Sequence, residues 1–133
     1  MDRLVRTALT GPPPIDIDRK IDAPAEDVWE LLVDTRRWPD WGPSITDVEC
    51  RERRVRTGSR GRVRLIGDTW IPFEITYCEA YRWTWEVAGI PATGHRVEPH
   101  NGCCRAVFEV PLLAAGYAPV CWLALSRIAA AVE

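Results

Sequence analysis

Between Ile45 and Val110 the chain is written almost entirely in short runs of alternating apolar and polar residues, cut by Gly58, Gly67-Asp68, Gly89 and Asn101-Gly102. Alternation at period two marks half-buried strands, and Asn-Gly between two such runs is a strong hairpin signal. We read strands near Ile45 to Glu52, Ser59 to Ile66, Thr69 to Glu79, Arg82 to Val87, Thr93 to Glu98 and Cys103 to Val110. An earlier run, in which Ile15, Ile17 and Arg19 alternate with Asp16, Asp18 and Lys20 before Ile21, makes seven. Strands joined by tight turns pair antiparallel, and a sheet with one solvated face needs a cover for the other.

Few segments could supply that cover. Ala23-Pro24-Ala25-Glu26-Asp27-Val28-Trp29-Glu30-Leu31-Leu32 opens a helix, with proline at its start and two acids complementing the positive end of the helix dipole. Val28, Leu31, Leu32 and Thr35 share one face, and Arg36 and Arg37 suit the carboxyl end. Trp38-Pro39-Asp40-Trp41-Gly42-Pro43 then forms a short, lip-like turn. The charge-free stretch from Val110 to Ser126 touches the lower limit for a membrane span, about 17 residues. Pro111, Gly116 and Pro119 interrupt it, so it divides into the end of a strand, a turn at Ala115 to Ala118 and a closing helix from about Pro119 to Val132. Val120, Leu123, Ala124, Arg127, Ile128 and Ala131 set the spacing of that helix.

Composition narrows the function classes. With 47% apolar and 27% charged residues, the 133-residue chain has the make-up of one folded domain, expected over residues 15–133 after an amino-terminal arm at 1–14 that ends in Pro12-Pro13-Pro14. A net charge of −2 and the absence of aromatics interleaved with basic residues argue against nucleic acid as a partner. No integral membrane segment is expected. Five cysteines without a CxxC pair, and no secretory signal at the amino end, point to a reducing, cytoplasmic location and no disulfide framework.

The order of elements resembles the helix-grip fold of the START-related, Bet v 1-like superfamily known as SRPBCC, which includes polyketide cyclase and dehydrase-like proteins. Ile21 to Leu32 followed by Trp38-Pro39-Asp40-Trp41 is similar to that family's amino-terminal signature, and Gly94-His95-Arg96-Val97-Glu98-Pro99 followed by Gly102 is similar to its late hairpin. The resemblance runs from Ile15 to Val132 and implies an α+β fold. A seven-stranded curved antiparallel sheet would wrap around the carboxyl-terminal helix, with two short helices between strands one and two and an elongated apolar cavity inside. The closing helix, at about 14 residues or roughly 21 Å, is short, which implies a smaller or more open cavity.

Several side chains invite a role in such a cavity. Trp83 and Trp85 lie two apart on one strand, so their rings share a face with Val87. They either line a pocket or fill the core. In the preceding strand we expect Phe73 and Tyr77 to face inward, with Phe108 opposite and Trp41 at the lip. His95 and Val97 share a face in the next strand, and a neutral imidazole there could anchor a polar group or serve as acid or base. His95, Glu98, His100, Cys103 and Cys104 lie close in sequence, but neighbouring strand residues point to opposite faces, and no metal or other cofactor is expected. Arg51, Arg53, Arg54, Arg56, Arg60, Arg62 and Arg64 crowd one hairpin. The seven carboxylates between Asp16 and Asp34 could balance them within the fold or across a homodimer.

The sequence therefore predicts a module that encloses a small hydrophobic or aromatic molecule, with Phe73, Tyr77, Trp83, Trp85, Val97, Phe108 and Trp41 as walls and His95 as anchor. Two alternatives stand beside it. One is an enzyme resembling polyketide cyclases and dehydrases, with His95 as its acid or base. The other is an interaction domain that uses the arginine-rich hairpin.

Overall fold

A computed structural model describes residues 13–133. The expected arm therefore lies almost wholly outside the described residues. β1 (Ile15–Ile21) leads into α1 (Ala25–Val33), a 3-10 turn (Thr35–Arg37) and the short α2 (Trp38–Trp41). Six strands follow: β2 (Ile45–Cys50), β3 (Arg60–Leu65), β4 (Thr69–Glu79), β5 (Arg82–Val87), β6 (Ile90–His100) and β7 (Cys103–Val110). A second 3-10 segment (Leu112–Tyr117) then enters α3 (Ala118–Val132). The strands form one antiparallel sheet in the order β1-β7-β6-β5-β4-β3-β2. This is the helix-grip α+β architecture, with the two short helices between the first two strands.

Local chemistry accounts for the connections. Asn101 and Gly102 both adopt positive φ, as a two-residue hairpin turn requires, and His100 pairs with Cys103 across it. The β5–β6 turn uses Ala88 and Gly89 in the same way, and it lets β6 begin at Ile90, earlier than the alternation suggested. Register shifts interrupt the β2–β3, β4–β5 and β5–β6 ladders. Each adds a residue to one strand, bends it and sharpens the twist, so the sheet curves.

The concave face carries a row of paired residues across four strands: Cys78 with Trp83, Trp83 with His95, and His95 with Phe108. Ile75, Ile21 and Val110 are buried on the same side. On the opposite face Glu109 lies over Gly94, where a Cβ would press on its carboxylate, so any larger residue there would have to displace the Glu109 side chain. That carboxylate accepts from Arg82 and Arg96. Burial raises its pKa, but the two guanidiniums outweigh burial and hold it below its ordinary value.

α1 buries Val28, Leu31 and Leu32, and Thr35 follows them into the core. The indoles of Trp38 and Trp41 donate to the Leu32 and Leu31 carbonyls, both at 2.9 Å, and so satisfy acceptors that the end of α1 leaves without partners. α3 packs through Cys121, Ala124, Leu125, Ile128 and Ala129. This corrects the expected stripe: Leu123, Arg127 and Ala131 are exposed, so the helix is turned from the face their spacing suggested. Leu112–Val132 is long and apolar enough to cross a membrane by composition alone. Here it is broken by non-helical backbone at Ala114 and lies against the sheet through one face.

Candidate functional site: an apolar cavity under the closing helix

A cavity of about 570 Å³ opens between the curved sheet and α3. Trp85 and Val87 of β5, Thr93 and His95 of β6, Phe108 of β7, Trp38 and Trp41 of α2, and Val120, Cys121 and Ala124 of α3 line it. Ile90, Leu113 and Tyr117 line it too and are exposed, so the cavity reaches the surface there. Among the described residues, no Asp, Glu, Lys or Arg lines it. Cys121 contributes an apolar wall, because burial pushes its thiol pKa up to about 11 and keeps it protonated.

The rings form one continuous cluster. Trp83 stacks with Trp38 at 5.2 Å and with His95 at 3.9 Å, while Trp85 meets Trp83 and Trp38 edge-on. Trp41 packs edge-on against His95 and Phe108. The two indoles of β5 thus divide the work between them. Trp83 is fully buried and makes the floor, whereas Trp85 is only half-buried and presents ring surface to the open space.

Five of the side chains expected from sequence come together here: Trp41, Trp83, Trp85, His95 and Phe108. Three do not reach the cavity. Phe73 is buried behind the wall, against the rings of Trp38 and Trp85. Val97 is buried further along β6 and away from the lining. Tyr77 is exposed, donates to Glu79 and lies under the guanidinium of Arg82. Its reversal has a local cause: the register shift between Ile75 and Tyr77 inserts one residue, so the inward position after Ile75 passes to Cys78, opposite Trp83. Sequence reasoning also missed Thr93 and the contribution of the 3-10 segment. Trp38 carried a signal, since its three-residue spacing from Trp41 places both indoles on one helical turn.

His95 is 2% exposed, and its Nε2 lies 3.0 Å from Thr93 Oγ1. Burial pushes its pKa down to about 3, with the Trp83 backbone and the Glu109 carboxylate pulling weakly the other way. The imidazole is therefore neutral at ordinary pH. Among the described residues no three His, Cys, Asp or Glu side chains converge as metal ligands would.

Six of the seven arginines of the hairpin pair with carboxylates. Arg53 pairs with Asp34 and Arg54 with Glu30, both carboxylates coming from the acidic stretch. Arg56, Arg60, Arg62 and Arg64 pair with Glu52, Glu74, Glu49 and Asp68.

Residues 14–132 match the family model described as polyketide cyclase / dehydrase and lipid transport. The chain belongs to that family. No curated protein matches it. Among solved structures it is similar to XoxI from Bacillus cereus, with a TM-score of 0.69 and 14% identity over 90% of this chain and 95% of that one. The Aha1 dimer from Colwellia psychrerythraea gives 0.67 and 16% over 90% and 95%. The Zhui aromatase/cyclase from Streptomyces sp. R1128 gives 0.64 and 14% over 88% and 91%. At such identities the likeness is one of fold, and this polyketide-cyclase-like ligand-binding fold is common to chains of different function.

Proposed function

We propose that the protein binds a small, uncharged hydrophobic or aromatic molecule in the cavity between the sheet and α3. The observation that carries this reading is the 570 Å³ volume with its ring-rich walls and, among the described residues, no acid, lysine or arginine in its lining. That volume lies within the ordinary range of small-molecule sites, roughly 300–1,000 Å³. A charged guest would lose its hydration there without a counter-charge, which favours neutral ligands. Trp85 and Trp41 offer ring surface for stacking, and Ile90, Leu113 and Tyr117 border the entrance. The family description and the aromatase/cyclase among its structural neighbours agree with a ligand of this kind.

Binding is supported above proton transfer because an efficient acid or base has a pKa near the working pH, and His95 lies far below it. The interaction reading is weakened by the ion pairs that occupy six of the seven arginines of the hairpin. Native mass spectrometry of the purified protein, followed by titration with naphthalene-type ligands monitored through tryptophan fluorescence, tests the proposal. Saturable fluorescence change or a retained small molecule is expected. An unliganded mass together with fluorescence unmoved by every neutral aromatic tried would sink it.

A further inference from the structure

A second cavity, of about 260 Å³, adjoins α2 through Pro39, whereas Trp38 and Trp41 of the same helix line the apolar one. Its lining is charged. Arg36 of the 3-10 turn, Asp47 of β2, and Arg51 and Arg53 just beyond β2 all border it. Arg53 is committed to Asp34, to which its Nε and Nη2 donate at 3.2 and 3.1 Å. Asp47 accepts from the Val48 backbone N–H at 2.8 Å. The other arginines of the hairpin each hold a carboxylate, but among the described residues the guanidiniums of Arg36 and Arg51 form no ion pair, with Asp47 or with any other acid.

The backbone fixes both of these arginines at the cavity. Thr35, which is buried, donates to the Arg53 carbonyl through its backbone N–H at 2.8 Å and through Oγ1 at 3.0 Å. Asp34 forms a β-bridge with Arg54. The segment bearing Arg36 is thus stapled to the segment bearing Arg51. Two like charges gathered at one cavity repel each other, and a bound anion would relieve that repulsion.

We infer that this cavity binds the phosphate of a small phosphomonoester, clamped between Arg36 and Arg51. A carboxylate offers two coplanar oxygens, which one guanidinium fork satisfies. A phosphate monoester carries nearly two charges and three acceptor oxygens, so two forks can share it. The volume lies below the roughly 300 Å³ at which drug-sized sites begin, which suits a phosphate with a small substituent. Arg53 is a positioning residue: it neutralises Asp34, whose charge would otherwise oppose the anion. The site is separate from the apolar cavity and does not rest on the binding reading given for it.

A free metabolite and a phosphatidic-acid headgroup present the same monoester, and the test has an arm for each. The full-length chain is titrated at low ionic strength with glycerol 3-phosphate and followed by amide proton–nitrogen spectra. Saturable shifts at residues 35–37 and 47–53 are expected, with acetate binding more weakly. Arg36→Gln and Arg51→Gln should each weaken binding roughly tenfold. Arg60→Gln, which removes an exposed cation of the same hairpin, should leave it unchanged. In parallel, sedimentation with phosphatidylcholine vesicles is measured with and without phosphatidic acid. Vesicle binding that the double variant Arg36→Gln, Arg51→Gln abolishes supports the site with a lipid headgroup as its source, and glycerol 3-phosphate binding alone supports it with a soluble one. Binding of neither probe through Arg36 and Arg51, acetate bound as tightly as the phosphate, or an Arg60→Gln loss equal to that of Arg36→Gln overturns the inference and leaves the apolar cavity reading untouched.

Discussion

At His95, burial has removed the charge that a free imidazole gains as pH falls below about 6.5, and the same burial makes the residue a source of acid sensitivity. Its folded-state pKa, about 3, lies below the ordinary 6.5. Between those values the unfolded chain holds a proton that the folded chain refuses, so stability falls as pH is lowered through that window. Glu109 and Asp34 have folded pKa values lowered from the carboxylate range, and their contribution fades only at more acidic pH. Urea unfolding between roughly pH 6.5 and pH 5 therefore isolates the histidine. Wild-type protein is expected to lose stability across that interval, while His95→Phe, which keeps a ring in the stack, is expected to have a flatter profile. Identical slopes would show that His95 is charged in the folded state.

The secondary elements show where sequence periodicity stops being informative. The alternation of β4 holds as far as Ile75, and Phe73 is buried as read, but one inserted residue reverses every later side chain and sends Tyr77 outward. Nothing in the residue types of Thr76-Tyr77-Cys78 announces that insertion. α3 presents a different difficulty. Apolar residues occupy its buried face, through Leu125 and Ile128, and its exposed face, through Trp122 and Leu123, so two orientations satisfy the same pattern. The observed orientation makes a simple contrast testable by urea denaturation. Leu125→Ala is expected to cost about 2–5 kcal/mol, as for a buried leucine, and Leu123→Ala less than about 0.5 kcal/mol. Comparable losses at the two positions would mean that the helix face is assigned wrongly.

For the molecule as a whole, the consequence of curvature is unfilled space. Three register shifts curve the sheet around α3, and the rings of α2 and β5 occupy only part of the space enclosed. Filling the remainder from the helix side should compete with a ligand without disturbing the ring stack. Val120, half-buried on α3 and part of the lining, is the place to do it. Val120→Trp is expected to keep the far-UV circular dichroism of the parent and to abolish both the fluorescence response to neutral aromatics and the rise in melting temperature that they cause by mass action. Retention of both responses in a folded variant would locate binding elsewhere.

What the chain declares locally is the list of elements and their order. Period-two runs, Asn-Gly and related turns, and the proline that opens α1 act over a few residues, and the structure keeps all seven strands and the closing helix. Together with the Ile21 to Leu32 and Trp38 to Trp41 segments, that order was enough to place the family. Which side chains meet across the fold was decided by tertiary structure. A single inserted residue moves Tyr77 to the outer face, cross-strand pairing joins Trp83 to His95 and Phe108, and packing selects one of two apolar faces of α3. Strand and turn propensities carry no record of these choices, because each depends on a partner distant in the chain and is settled only when the sheet curves around its helix.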